Sequence, residues 1–324
     1  MASPTAALTQ SRPDIASSFE EFDLEMDRMG YISHRVLPTI DVGAQAGRFG
    51  IIPVEQLLQN RDTKRAPGSA YSRSKWNFET TTYATEEHGH EEPVDDRESA
   101  MYANYFDAEQ MAARRSLDVV MRNAEARVEA AVFNATTWAA ATTGITHEWD
   151  DATNAVPITD VNTAVQAIWD ACGLWANALI INRKVFKNLR LCDQIRDRIT
   201  SDGAGSSELQ ADISADQIAR ALDLETILVG GMASNSAIEG AALSIAPVWS
   251  DEYAMVCRIP TTSDFREPCI GRTFHWAGDG SDYDGRIETY RDETVRADIV
   301  RARRDTDEKI LYVAAGHLLS NVTT

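Results

Sequence analysis

The spacing of apolar positions changes several times along this chain. Residues 1–18 are rich in Ala, Ser, Thr and Pro and show no period. Residues 18–30 then predict a short amphipathic helix, capped by Ser18, with Glu20 and Glu21 in its first turn and Gly30 as its stop. Together they read as an N-terminal arm that orders only against neighbours. From Tyr31 to Val54 the pattern becomes β-type pieces broken by Pro38, Gly43, Gly47, Gly50 and Pro53. Residues 55–92 hold few apolar side chains, with alternation returning only in Trp76–Tyr83. So long an excursion is uncommon inside a compact domain and is usually functional. It predicts an extended loop with strands on its return leg, built to lie on something other than its own core.

Pro93, followed by Asp95, Asp96 and Glu98, fits a helix start. Apolar positions from Met101 to Val132 keep largely to spacings of three, four and seven. Roughly 40 residues at about 1.5 Å each predict a rod of about 60 Å, bent near 107–109 where the stripe is weak. Beyond residue 155 helices and strands alternate. Helices are predicted at 158–171, 183–191 and 214–222, and strands at 178–182, 226–230 and 253–259. A flexible loop falls at 201–207. A hairpin near 278–285 returns through strands at 286–291 and 295–303. The expected organisation is an arm with first strands (1–54), an extension loop (55–92), a peripheral domain with the long helix (93–150), an α/β domain (151–283) and returning strands (284–324). The class is α+β.

Composition narrows the function. The chain has 324 residues, 31 Lys and Arg against 50 Asp and Glu, and a net charge of −19. Nucleic-acid affinity comes mainly from cations neutralising phosphates, so a sequence-independent DNA or RNA binder is not expected. The longest uncharged run, residues 130–146, is full of Thr and Asn, and no membrane partner is expected. Cys172, Cys192, Cys257 and Cys269 form no C-x-x-C and read as four reduced thiols.

The sequence offers little catalytic chemistry. It has no G-x-S-x-G, H-E-x-x-H, G-x-x-x-x-G-K-[ST] or G-x-G-x-x-G. Residues 229–234 read as a strand-end turn rather than a phosphate cradle. Residues 86–92 carry His88 and His90 among four Glu but no distant third ligand, and read as a solvated acidic turn. Residues 279–285 resemble a calcium loop whose closing Glu is replaced by Tyr290. No catalytic, cofactor or metal site is expected. Charge is more telling. Arg61, Lys64, Arg65, Arg73 and Lys75 face one acid in their stretch, whereas 86–98 holds seven acids, among them Glu91, Glu92, Asp95 and Asp96, and one base. Two blocks of opposite sign flanking one loop could pair between subunits. Only five of the 31 cations are Lys, and Arg suits bidentate interfacial pairs.

The order of these parts, with the segments 31–38, 65–68, 125–134, 271–276 and 307–316, resembles the major capsid proteins of tailed double-stranded-DNA bacteriophages, which have the Hong Kong 97 fold. The resemblance implies an extension loop at 55–92 lying across a neighbouring subunit. It implies a peripheral domain carrying a spine helix and an axial domain around the five- and six-fold axes. It further implies self-assembly into hexamers and pentamers of an icosahedral shell in a bacterial cytoplasm, ending in a virion. DNA would be enclosed without specific binding. A separate scaffolding protein, a portal and decoration proteins are the implied partners. Covalent cross-linking, for which Lys64 and Lys75 are the only loop candidates, is not expected. Two alternatives are an encapsulin-type compartment, which shares the fold, and a cytosolic α/β enzyme. The enzyme would need catalytic side chains at strand ends that hold only Asn182, Arg183, Gly230 and Gly231.

Overall fold

The structure is a computed structural model describing residues 10–11, 30–51, 53, 58–75, 79–102, 107–201, 213–238, 240–262, 264, 267–278 and 285–323. The predicted helix at 18–30 and the loops at 202–207 and 279–284 lie outside the described residues. In chain order the elements are β1 (Gln10–Ser11), α1 (Ser33–Val36), β2 (Thr39–Val42), β3 (Ala46–Ile51), β4 (Glu79–Ala84), β5 (Glu86–Asp95), α2 (Asp96–Tyr102), α3 (Ala108–Val132) and β6 (Thr142–Gly144). There follow α4 (Pro157–Cys172), β7 (Ala178–Asn182), α5 (Arg183–Leu191), α6 (Asp193–Ser201), α7 (Ala215–Ala221), β8 (Thr226–Gly230), β9 (Ala233–Asn235) and β10 (Ile245–Pro247). β11 (Tyr253–Cys257), β12 (Gly271–Trp276), β13 (Arg286–Asp292), β14 (Ala297–Ile310) and β15 (Gly316–Ser320) complete the chain.

A five-stranded sheet has the order β6-β15-β11-β7-β8. Its inner strands are buried on both faces, which is why 178–182 and 253–257 read as continuous apolar runs rather than alternating ones. Leu179, Ile181, Ala254, Val256 and Leu319 pack with the helices α4 to α7. Ala178, Ile180, Met255, Cys257 and Leu318 pack on the other side with Val128, Val132, Trp138 and Trp249. Pro157 sits in the first turn of α4 and Gly173, at φ +68°, ends it. Ser214 and Gln217 close α7 with a reciprocal capping box.

The second sheet runs β1-β13-β14-β12-β2, with β5 on the other side of β14. α3 ties the two sheets together. Its first half, through Ala113, Leu117, Val120 and Met121, packs on Ile287, Val300 and Ala302. Its second half belongs to the core under the five-stranded sheet. Asp107 caps its N-terminus by accepting from the N–H groups of Glu109 and Gln110.

Three expectations change. Pro93 does not start a helix: it lies in β5 opposite Ile299 of β14. β5 is an edge strand, where a missing N–H is tolerated. The spine is consequently the 25-residue α3, about 38 Å long rather than about 60 Å. Residues 86–92 form strand, not turn. The sheets also cross the expected domain boundaries. β12, from the segment 151–283, joins β13 and β14 in the second sheet, while β6 and the C-terminal β15 join the five-stranded one. Of the strands in 284–324, β13 and β14 lie in the second sheet and β15 in the five-stranded one.

Candidate inter-subunit surface

The loop between β3 and β4 is set by its own residues. Ser69 N–H donates to the Ala66 carbonyl at 3.1 Å, with Pro67 and Gly68 between them and Gly68 at φ +82°. This is the arrangement of a type II turn, in which Pro fixes the first corner and Gly supplies the positive φ of the second. Arg65 donates from Nε to the Ser69 carbonyl at 2.7 Å and lays its guanidinium over the Tyr71 ring at 4.6 Å. Asp62 accepts from Lys64 N–H, and Ser72 donates back to the Asp62 carbonyl. Residues 58–75 are exposed throughout, including Arg61, Lys64, Arg65, Arg73 and Lys75. The loop is shaped by its own contacts, yet its residues 59–75 stand exposed.

Both feet of the loop are pinned. β3 and β4 pair over six residues, and Tyr83 stacks on Phe274 of β12 with centroids 4.9 Å apart, Phe49 lying 5.2 Å from the same ring. The Leu58 side chain lies over Gly173, so close that a Cβ there would meet Leu58 Cδ1 at 2.6 Å. The missing side chain of Gly173 makes the seat for Leu58.

The acidic candidates are braced within the subunit. Glu91 accepts from Arg301 at 2.5 Å and from the Tyr290 hydroxyl at 3.1 Å. Glu92 pairs with Arg115 of α3. Asp96 takes both arms of the Arg291 guanidinium, at 2.5 and 2.6 Å, and this fork holds its carboxyl below the usual range. Asp95 accepts from the backbone N–H of Arg97 at 2.8 Å. The hydrogen bonds of Asp62, Arg65, Ser69 and Ser72 described above stay within residues 62–72.

Other polar contacts escaped the sequence reading. Glu125, wholly buried on the apolar stripe of α3, accepts from Ile32 N–H and Ser33 N–H at 2.9 Å each and from the Trp249 indole at 2.6 Å. Arg127 grips Glu308 with two bonds of 2.9 Å. Burial would raise the Glu308 carboxyl, but that fork outweighs it and holds it low. An acid set between Met121 and Val128 on an apolar face was the available signal for Glu125. Residues 229–234 form a strand-end turn, and Trp249 fills the space beside Gly230 where a Cβ would sit. Among the described residues no group of three or more His, Cys, Asp or Glu is placed to hold a metal. No described helix is long and apolar enough to cross a membrane.

No protein-family model matches the chain. No curated protein matches it either. Solved structures do. A phage-related protein from Bordetella bronchiseptica RB50 superposes with a TM-score of 0.70 at 19% identity, over 96% of this chain and 97% of the other. The capsid structure of cyanophage P-SCSP1u gives 0.58 at 11%, over 89% and 86%. A virus-like particle from Pyrococcus furiosus gives 0.54 at 12%, over 94% and 98%. The chain therefore has the α+β fold of phage capsid subunits, the Hong Kong 97 type.

Proposed function

We propose that this chain is the major capsid protein of a tailed bacteriophage. It forms hexamers and pentamers of an icosahedral shell that encloses double-stranded DNA, and it catalyses nothing. The observation that carries this reading is the loop 59–75, preset by its own turn and pinned at both feet while its residues stand exposed. A structured, fully exposed segment of this kind is made for a neighbour. Its cations would meet acids already paired with arginine, extending these pairs into a network between subunits. A net charge of −19 keeps the subunit from trapping nucleic acid during assembly. A separate scaffolding protein and a portal complete the assembly.

The test is electron microscopy of the purified protein, with and without phage lysate factors, beside sedimentation velocity. Hollow shells of uniform diameter support the reading. A protein that stays monomeric under all these conditions, or shells that hold an enzyme cargo in place of DNA in the native host, would overturn it.

A further inference from the structure

β9 and β10 form a two-stranded hairpin that belongs to neither large sheet, paired from Ala233–Pro247 to Asn235–Ile245. Its tip is tied locally: Ser236 N–H donates to the Ser244 carbonyl at 2.9 Å, and Asn235 Oδ1 accepts from Ala237 and Ser244 N–H at 3.1 Å each. Its root is fixed. Met232 is buried against Tyr31 and the first half of α3, Val248 N–H donates to the Met232 carbonyl, and Gly231 N–H to that of Gly30. From this root the hairpin carries Ile238, Leu243 and Ile245 into solvent, 84%, 70% and 66% exposed. Two strands alone are marginal in water, and an uncharged open edge invites pairing.

We infer that this hairpin is a contact surface for a second copy of the chain. Charge marks this hairpin out. Residues 231–250 hold a single ionisable residue, Glu239, in a chain with 81 Lys, Arg, Asp and Glu (31 + 50). Two molecules of −19 repel on the whole, and this finger, apart from the cationic loop, is a place where they can touch with almost no charge added. It has no cation to offer a nucleic acid, and its fixed root means little is lost in ordering it on contact. The inference rests on the self-assembly reading and assigns that assembly one of its surfaces.

All four native cysteines are buried, so Leu243→Cys introduces the one exposed thiol among them. Maleimide should label free Leu243→Cys subunits readily and assembled ones at least about ten-fold more slowly, and pre-labelled subunits should fail to assemble. The triple variant Ile238→Ser, Leu243→Ser, Ile245→Ser should keep the monomer's circular dichroism and melting temperature while raising the concentration for assembly roughly ten-fold. If wild-type protein assembles and the thiol is labelled equally fast in shells, the hairpin inference is wrong and the shell reading stands. If wild-type protein never assembles, the shell reading falls and this inference with it. Uptake of labelled hairpin by lipid vesicles, with assembly unchanged in the triple variant, would also overturn it.

Discussion

The Trp249 indole N–H donates to the Glu125 carboxylate over 2.6 Å, and neither side chain has any exposed surface. The bond joins the link before β11 to the middle of the spine, and the same carboxylate holds the backbone at Ile32 and Ser33. One acid thus fastens three segments that are distant in sequence. Glu125→Ala would leave the buried Ile32 N–H and the indole without acceptors, at a cost of about 2–6 kcal/mol. Trp249→Phe should cost less. A double-mutant cycle by urea denaturation should return a coupling energy well above zero. Additive losses would mean that the bond contributes nothing.

Gly173 has a second role beside ending α4. An Ala there must accept a positive φ, at about 1–2 kcal/mol, and its methyl must push Leu58 aside. Gly173→Ala should lower the melting temperature by a few degrees and speed proteolysis at the start of the loop. An unaltered digestion pattern would show that Leu58 does not anchor it.

Arg61, Lys64, Arg65, Arg73 and Lys75 are exposed cleavage sites for trypsin in a free subunit. Assembled shells should protect them. A single partly exposed ion pair contributes only about 0–1 kcal/mol, so Arg65→Glu should leave the melting temperature of the monomer unchanged. Repetition in every subunit of a closed shell should make the same change visible as lost assembly with an altered salt dependence. Reversal at Glu92 should be a poor rescue, because it also breaks the pair with Arg115. Assembly of Arg65→Glu at wild-type yield and salt dependence would mark the basic block as a solvated face.

His317 and Glu267 are two of the groups expected to give stability a pH dependence. Burial holds the His317 imidazole below its ordinary 6.5, so the folded state prefers it neutral. Its contribution is fully present above about pH 6.5 and declines as pH falls through that value. Burial would raise the Glu267 carboxyl, but hydrogen bonds from the backbone and hydroxyls of Thr261 and Thr262 outweigh it and bring it to about 2, from 4.5. That contribution is present above about pH 4.5 and is lost between there and pH 2. Melting temperatures of His317→Asn and Glu267→Gln, followed against pH, should each approach the wild-type curve below the respective window. Curves parallel to wild type at every pH would assign both slopes to other groups.

Burial raises the thiols of Cys172, Cys192, Cys257 and Cys269 above their ordinary values. Native protein should therefore release almost no thionitrobenzoate from an aromatic disulfide reagent and the equivalent of four thiols in denaturant. Fast release before unfolding would contradict the packing around them.

Where a side chain's fate depends on near neighbours, the sequence was readable. α4 was expected at 158–171 and spans 157–172, because its stripe, its proline and its glycine agree. β7 and β8 were plain because burial on both faces demands an unbroken apolar run. β5 was misread because its partners lie about 200 residues away. An edge strand of Glu and His has no apolar alternation, and only Arg301 and Arg303 of β14, opposite Glu91 and Gly89, make it legible as a strand. The cationic loop could be seen as a charge pattern. What its acidic counterparts already bind could not, since Arg115, Arg291 and Arg301 come from three separate elements.

β15 lies inside the five-stranded sheet, between β6 and β11. At about 5–20 residues per second, a ribosome needs about 3–12 s to make the roughly 60 residues that separate β11 from β15. During those seconds β11 has one bare edge, and β6, which pairs only with β15 in that sheet, has no partner at all. A nascent chain in that state is a template for wrong pairing. The pace of translation across residues 258–315 is thus expected to affect yield, and genes differing only in synonymous codons there should give different amounts of folded subunit without altering a single side chain.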